Sequence, residues 1–262
     1  MRSLFVCVSA LAAVSCVEAF LAPMSVARTA RSSSSLSMAY NKVFVAGGSS
    51  GVGREVVNQL VSKGKQVVAI VRREDALEEL NAIEGVTAVM VDALDLKGVE
   101  GALDGCDAAI TTLGGSSGEN RVDYEGNRNV IESAGILGVT RVILVTSVGC
   151  GDSRGAISDQ VYTSLEKALV AKTKAEKMLQ KYYTNAFWTI IRPGGLQTAE
   201  GTGKAILTEN KTIAGIIRRA DVADVVVRAL DNDGTHKKVF TAVDPSIPSS
   251  FGDASKAEAF PL

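Results

Sequence analysis

An α/β fold built on a doubly wound parallel sheet is predicted by three observations on this chain. Residues 43–53 read VFVAGGSSGVG, a short β-branched run that enters a glycine loop and passes straight into a helical pattern. Between residues 40 and 244, strand-like and helix-like segments alternate with little interruption, the rhythm of a parallel sheet covered by helices on both faces. The chain has 262 residues, of which 46% are hydrophobic, so one sizeable core can be buried.

The first strand, 43–46, is apolar and β-branched, and Val52, Val56, Val57, Leu60 and Val61 recur at helical spacing into and along the helix at 53–62. QVVAIV gives a second strand at 66–71 and TAVMV a third at 87–91, both rich in residues that suit a pleated surface. A helix at 96–103 leads to a strand at 108–112, and a longer helix at 123–137 to a strand at 142–146. The helix at 164–181 precedes a strand at 188–192, and the helix at 221–230 precedes the last strand, 239–242. Right-handed crossovers between such strands leave a ligand crevice at their carboxyl ends. No repeat and no linker divides this stretch, so residues 39–262 are expected to form a single domain.

The glycine loop is the shape a phosphate needs. Gly47 permits the tight turn, Gly51 lets the backbone approach a pyrophosphate, and Gly53 lets the helix pack on the strand; Ser49, Ser50 and Val52 complete the loop. The end of the second strand then meets the adenosine ribose, where an acid would select NAD. Here VVAIVRRED puts Arg72 and Arg73 at that point, which suits the 2′-phosphate of NADP, with Arg54 as a third contact. Glu74 and Asp75 dilute the basic patch, so NAD stays as the second choice.

These motifs resemble the short-chain dehydrogenase/reductase superfamily, and within it the atypical NmrA-like branch, over residues 43–244. AGGSSGVG is similar to its TGxxxGxG loop, with Ala46 in place of Thr, and VDALD to the segment after its third strand. VDYEGNRNVIESAGILGVTRVILVTSVG, KTKAEKMLQKYYTNAFWTIIRPGGL and RRADVADVVVRAL follow in the family's order. The resemblance implies that Asp92 and Ala93 meet the adenine, and that Thr112, Leu113, Gly114, Gly115 and Pro193 line the rest of the cofactor cleft. It also implies a Ser-Tyr-Lys catalytic set, in which a lysine lowers the tyrosine pKa and the serine orients a carbonyl. Ser147 matches the serine and Lys174 the lysine, but Val170 stands where the tyrosine belongs. Tyr162 lies upstream in a segment read as loop, and Tyr182 and Tyr183 at the far end of the helix.

Other chemistry is thinly represented. His236 is the only histidine and sits in turn composition, and one histidine with dispersed cysteines makes no zinc set. Cys150, close to Ser147, reads as a filler residue before a redox thiol. The formal net charge of −1 argues against a nucleic-acid partner, and nothing after residue 38 is long and apolar enough to span a bilayer.

Residues 1–38 read as an address. Arg2 precedes an apolar core over residues 4–14, small residues run to Ala19 before Phe20, and RTARSSSSLSM is basic, serine-rich and free of acids. The arrangement resembles the two-part presequence of algae with plastids of red-algal origin, and implies import to the plastid stroma. Secretion, or a domain beginning at Met38, is the second reading. Two functions follow: an NADPH-dependent oxidoreductase passing hydride to a small acceptor such as a quinone, flavin or tetrapyrrole, or a non-catalytic NADP-binding redox sensor or assembly factor for photosynthetic complexes. The partner is accordingly a small-molecule substrate or a plastid protein.

Overall fold

The structure is a computed structural model and describes residues 40–114, 121–250 and 252–262; residues 1–38, read above as an address, and Gly115 lie outside them. Strand β1 (Lys42–Ala46) passes through the glycine loop into helix α1 (Gly51–Ser62), then β2 (Gln66–Val71), α2 (Glu74–Asn81) and β3 (Val86–Met90). Next come α3 (Leu96–Leu103), β4 (Ala108–Thr111), a π-helical turn (Val122–Gly126) running into α4 (Asn127–Ile136), and β5 (Arg141–Val145). A 3-10 segment (Gly151–Ala156) leads to the long helix α5 (Asp159–Tyr182) and β6 (Phe187–Pro193). The short strands β7 (Gly195–Gln197), β8 (Ile206–Thr208) and β9 (Ile216–Arg218) precede α6 (Arg219–Leu230) and β10 (Lys238–Val243).

The main sheet runs β3-β2-β1-β4-β5-β6-β10-β8, parallel except for β8, and β7 pairs with β9 in a separate small sheet. Strand order turns back between β1 and β4, which is where a doubly wound sheet opens its crevice. Successive side chains alternate between faces. Val43 and Val45 join the core under α1, α2 and α6, while Phe44 and Ala46 join the core under α3, α4 and α5. Both faces are buried, which explains why β1 reads as an unbroken apolar run.

Buried Arg141 fixes the lower end of α6. Its Nε donates to the carbonyl of Leu230 at 3.0 Å, and its other nitrogens reach Thr189, Thr235 and the carbonyl of Phe187. A cation at a helix C-terminus satisfies carbonyls that the helix itself leaves unpaired. Burial lowers its pKa to about 10.

Several elements differ from the sequence expectation. Glu74–Asn81 forms a helix that was not foreseen, because eight residues carry only Ala76, Leu77 and Leu80 as an apolar face. The segment between β6 and α6, where no strand is expected, contains β7, β8 and β9, and β8 covers the edge of β10 by antiparallel pairing. Helix α5 begins at Asp159 rather than 164, since Ser158 caps it by accepting from the Val161 amide. Tyr162 is therefore helical, with the Arg154 guanidinium 3.8 Å from its ring centroid. His236 stacks on Phe187 at the start of β6, the end of the sheet opposite the crevice.

Candidate functional site

The glycine loop closes on itself tightly. Gly47 and Gly51 have φ of 89° and 57°, the left-handed region that favours glycine. A Cβ on Gly53 would lie 2.6 Å from Thr112 Oγ1 and overlap the carbonyl of Gly47, so only hydrogen fits there. Thr112 holds this floor, its amide and hydroxyl both donating to the carbonyl of Ala46 at 3.0 Å. Ser50 enters α1 in extended conformation without a side-chain cap, and the first turn carries no acid. The amides at the head of α1 are thus available to an anion.

The arginines divide. Arg54 pairs with Glu79 of α2, and Arg73 shares itself with Asp75 at 3.0 Å. Arg72 is exposed at the end of β2. Asp92 is exposed just past β3 and accepts from the Leu94 amide, while the carbonyl of buried Ala93 accepts from Asn129.

A lysine does face the end of β4, and it is Lys172. Its Nζ donates to the carbonyl of Leu113 at 2.7 Å and pairs with buried Asp123 at 3.0 Å. A Cβ on Gly114 would meet that same Nζ at 3.2 Å. Asp123 sits in the π-helical turn, and such turns recur at functional sites. The turn is held by Asn127, which donates to the Asp123 carbonyl and accepts from Thr111 at 2.6 Å. Lys174, by contrast, is exposed and lines an open groove with Tyr124, Glu125, Lys167 and Val170. The structure does not bring it to Ser147. Leu169, Lys172, Glu176 and Leu179 recur at three and four residues along the inward face of α5, a spacing that includes Lys172 and leaves out Lys174. Four residues before Lys172 stands Ala168, so the tyrosine is missing in this register as well.

Ser147 follows β5 and donates to the Val148 carbonyl at 3.0 Å. It lines a cavity of about 310 Å³ with Pro193, Val161, Leu165, Leu196 and Ala214. Among the described residues no titratable side chain lines this cavity.

Behind the cavity lies an ionic network that the sequence reading missed. Thr146 Oγ1 donates to Glu176 at 2.6 Å, and Arg192 grips the same carboxylate through Nε at 3.0 Å and Nη2 at 2.7 Å. Arg192 also pairs with Asp152, which pairs in turn with Lys211. Burial opposes the Arg192 charge, yet its bonds to Glu176 and Asp152 drive its pKa upward. Burial likewise opposes Asp152, and Lys211 and Arg192 together pull its carboxyl below the usual range. Burial pushes the Cys150 thiol up to about 12, so it is no thiolate near neutrality.

Among the described residues no group of three His, Cys, Asp or Glu side chains is placed to hold a metal, and no helix is long and apolar enough to cross a membrane.

The loop, the sheet reversal and the crevice define a Rossmann-type dinucleotide-binding protein. The pattern of the NAD(P)H-binding family matches residues 47–233, and the chain belongs to that family, the atypical NmrA-like branch of the short-chain dehydrogenases/reductases. The uncharacterized sugar epimerase YhfK of Bacillus subtilis is 32% identical over 217 residues, 79% of this chain and 96% of that protein. The chloroplastic protein At2g34460 of Arabidopsis thaliana is 33% identical over 216 residues, covering 77% of this chain and 76% of the relative. Among solved structures, ChuY, an anaerobilin reductase from Escherichia coli, superposes with a TM-score of 0.72 at 32% identity, covering 80% of this chain and all of that one.

Proposed function

We propose that this protein is a plastid NADPH-dependent oxidoreductase that delivers hydride to a small conjugated acceptor of the quinone, flavin or tetrapyrrole type. The cavity beside Ser147 carries the reading. Its walls are apolar, its polar groups are hydroxyl and backbone, and among the described residues no acid or base lines it. Such a pocket suits an acceptor whose own conjugation spreads the incoming charge and which takes its proton from solvent. The bound nicotinamide supplies the hydride, and the chain supplies position. Arg72, with Arg73, holds the 2′-phosphate, Asp92 the adenine, and the amides of the glycine loop the pyrophosphate. Lys172, fixed by Asp123 and Leu113, takes the positioning role expected of Lys174. Ser147 exchanges its bond to Val148 for one to an acceptor oxygen. The reductase ChuY and the chloroplastic relative from Arabidopsis support the reaction class and the compartment respectively.

The test is NADPH consumption by the purified protein against a panel of quinones, flavins and linear tetrapyrroles. Turnover that falls with Ser147→Ala supports the reading, and absence of turnover on every class refutes it. One observation favours a second reading, a non-catalytic NADP-binding sensor or assembly factor: neither position 168 nor 170 carries a tyrosine. Tight NADPH binding without turnover, together with a co-purifying protein, would select that alternative.

A further inference from the structure

The phosphate loop has a neighbour from the far end of the chain. Arg219 opens α6, and its Nε and Cδ are the nearest atoms to a Cβ built on Gly51, at 3.7 and 3.9 Å. Gly51 is the residue at which the loop backbone is bare. Helix α6 is held beside α1 by Gln59, whose Nε2 donates to the Ala220 carbonyl at 2.9 Å. The Arg219 guanidinium is steadied by a neutral group, its Nη1 donating to Thr198 Oγ1 at 2.7 Å. No carboxylate pairs with it among the described residues, whereas Arg54 and Arg73 both have one. A half-buried cation that no described carboxylate neutralises, aimed at a loop shaped for phosphate, is matched by a dianionic ligand.

We propose that Arg219 binds the cofactor's pyrophosphate and that Thr198 presents it, tying the segment 195–203 to the bound dinucleotide. That segment is also held within the fold, by the pairing of β7 with β9, by Thr202 Oγ1 donating to Asp244, and from the head of α6. Asp221 accepts from the amides of Thr202 and Gly203 at 2.9 Å, and Arg218 donates to the Glu200 carbonyl. Its first residues, Gly195 and Leu196, form one wall of the cavity at Ser147. Cofactor binding through Arg219 therefore stiffens a wall of the substrate cavity before substrate arrives. The inference rests on the family's dinucleotide site and not on any reaction.

Calorimetric titration of the full protein with NADPH, NADH, ADP-ribose and AMP separates the contacts. Arg219→Gln is expected to weaken NADPH, NADH and ADP-ribose by one common factor of about tenfold or more, the scale of a charge-assisted bond, and to leave AMP unchanged. Thr198→Val is expected to weaken the same three ligands by a smaller common factor, and Arg219→Lys to recover part of the loss. Hydrogen exchange of segment 195–203 should slow on adding NADH to the native protein and not to Arg219→Gln. Unchanged ADP-ribose binding by Arg219→Gln, or a loss confined to NADPH, overturns the proposal. If Arg219→Gln fails to fold, Thr198→Val and Arg219→Lys carry the same test.

Discussion

Two lysines two positions apart have opposite expected effects. Lys172 pairs with Asp123, which is 1% exposed, and donates to the Leu113 carbonyl; its own side chain is 13% exposed. Replacing it by Met removes the cation and leaves the Asp123 carboxylate buried without its lysine. Breaking one side of a buried pair costs 3–5 kcal/mol, and the residual exposure of Lys172 argues for the lower end, about 3 kcal/mol. In a domain of this size that corresponds to a melting temperature lower by roughly 6–12 °C. Lys174→Met, at an exposed position, should change stability by no more than about 0.5 kcal/mol. The assay is urea unfolding of both variants beside titration with NADPH, which should weaken for Lys172→Met alone. Equal losses in the two variants, or a neutral Lys172→Met, would refute the assignment of the inward register on α5.

The remaining expectations concern the loop, the ionic network and the thiols. Gly53→Ala forces a methyl group against the Gly47 carbonyl and Thr112 Oγ1, so cofactor titration should show binding lost while the circular dichroism spectrum stays helical. Glu176→Ala strands the Arg192 cation with Asp152 as its remaining partner and should cost about 3–5 kcal/mol in denaturant unfolding; a loss under about 1 kcal/mol would contradict a buried pair. Burial raises Cys106 to about 11 and Cys150 to about 12, from 9.0 for a free thiol. The native state therefore prefers the protonated thiol, and this contribution is complete below pH 9.0 and drains as pH rises toward 11 and 12. In the native protein Cys106 and Cys150 should resist thiol labelling at pH 8 and react once it is unfolded; rapid native labelling of either would sink the point.

What the sequence made legible was local chemistry. The loop at 43–53 announces itself because its glycines, the strand before it and the helix after it are contiguous, and the strand rhythm follows from unbroken apolar runs buried on both faces. Ser147 was found at the end of a strand for the same reason. Lys172 and Lys174 lie in one lysine-rich stretch, and only packing against Asp123 and Leu113 marks Lys172 as the inward one. Strand β8 was invisible because three residues acquire strand character only by lying against β10. Arg219 and Arg192 gave no signal, since their partners, Thr198, Gly51, Glu176 and Asp152, come from other segments of the chain.

The clasp between α1 and α6 also sets a schedule. Gln59 and Ala220 are 161 positions apart, and closing a loop of that length costs roughly 4–5 kcal/mol before any contact repays it. At synthesis rates of about 5–20 residues per second, roughly 10–30 s separate the appearance of one partner from the other. Throughout that interval the glycine loop is complete in sequence yet lacks the helix that flanks it, so the first-made part of the nucleotide site is among the last to be finished.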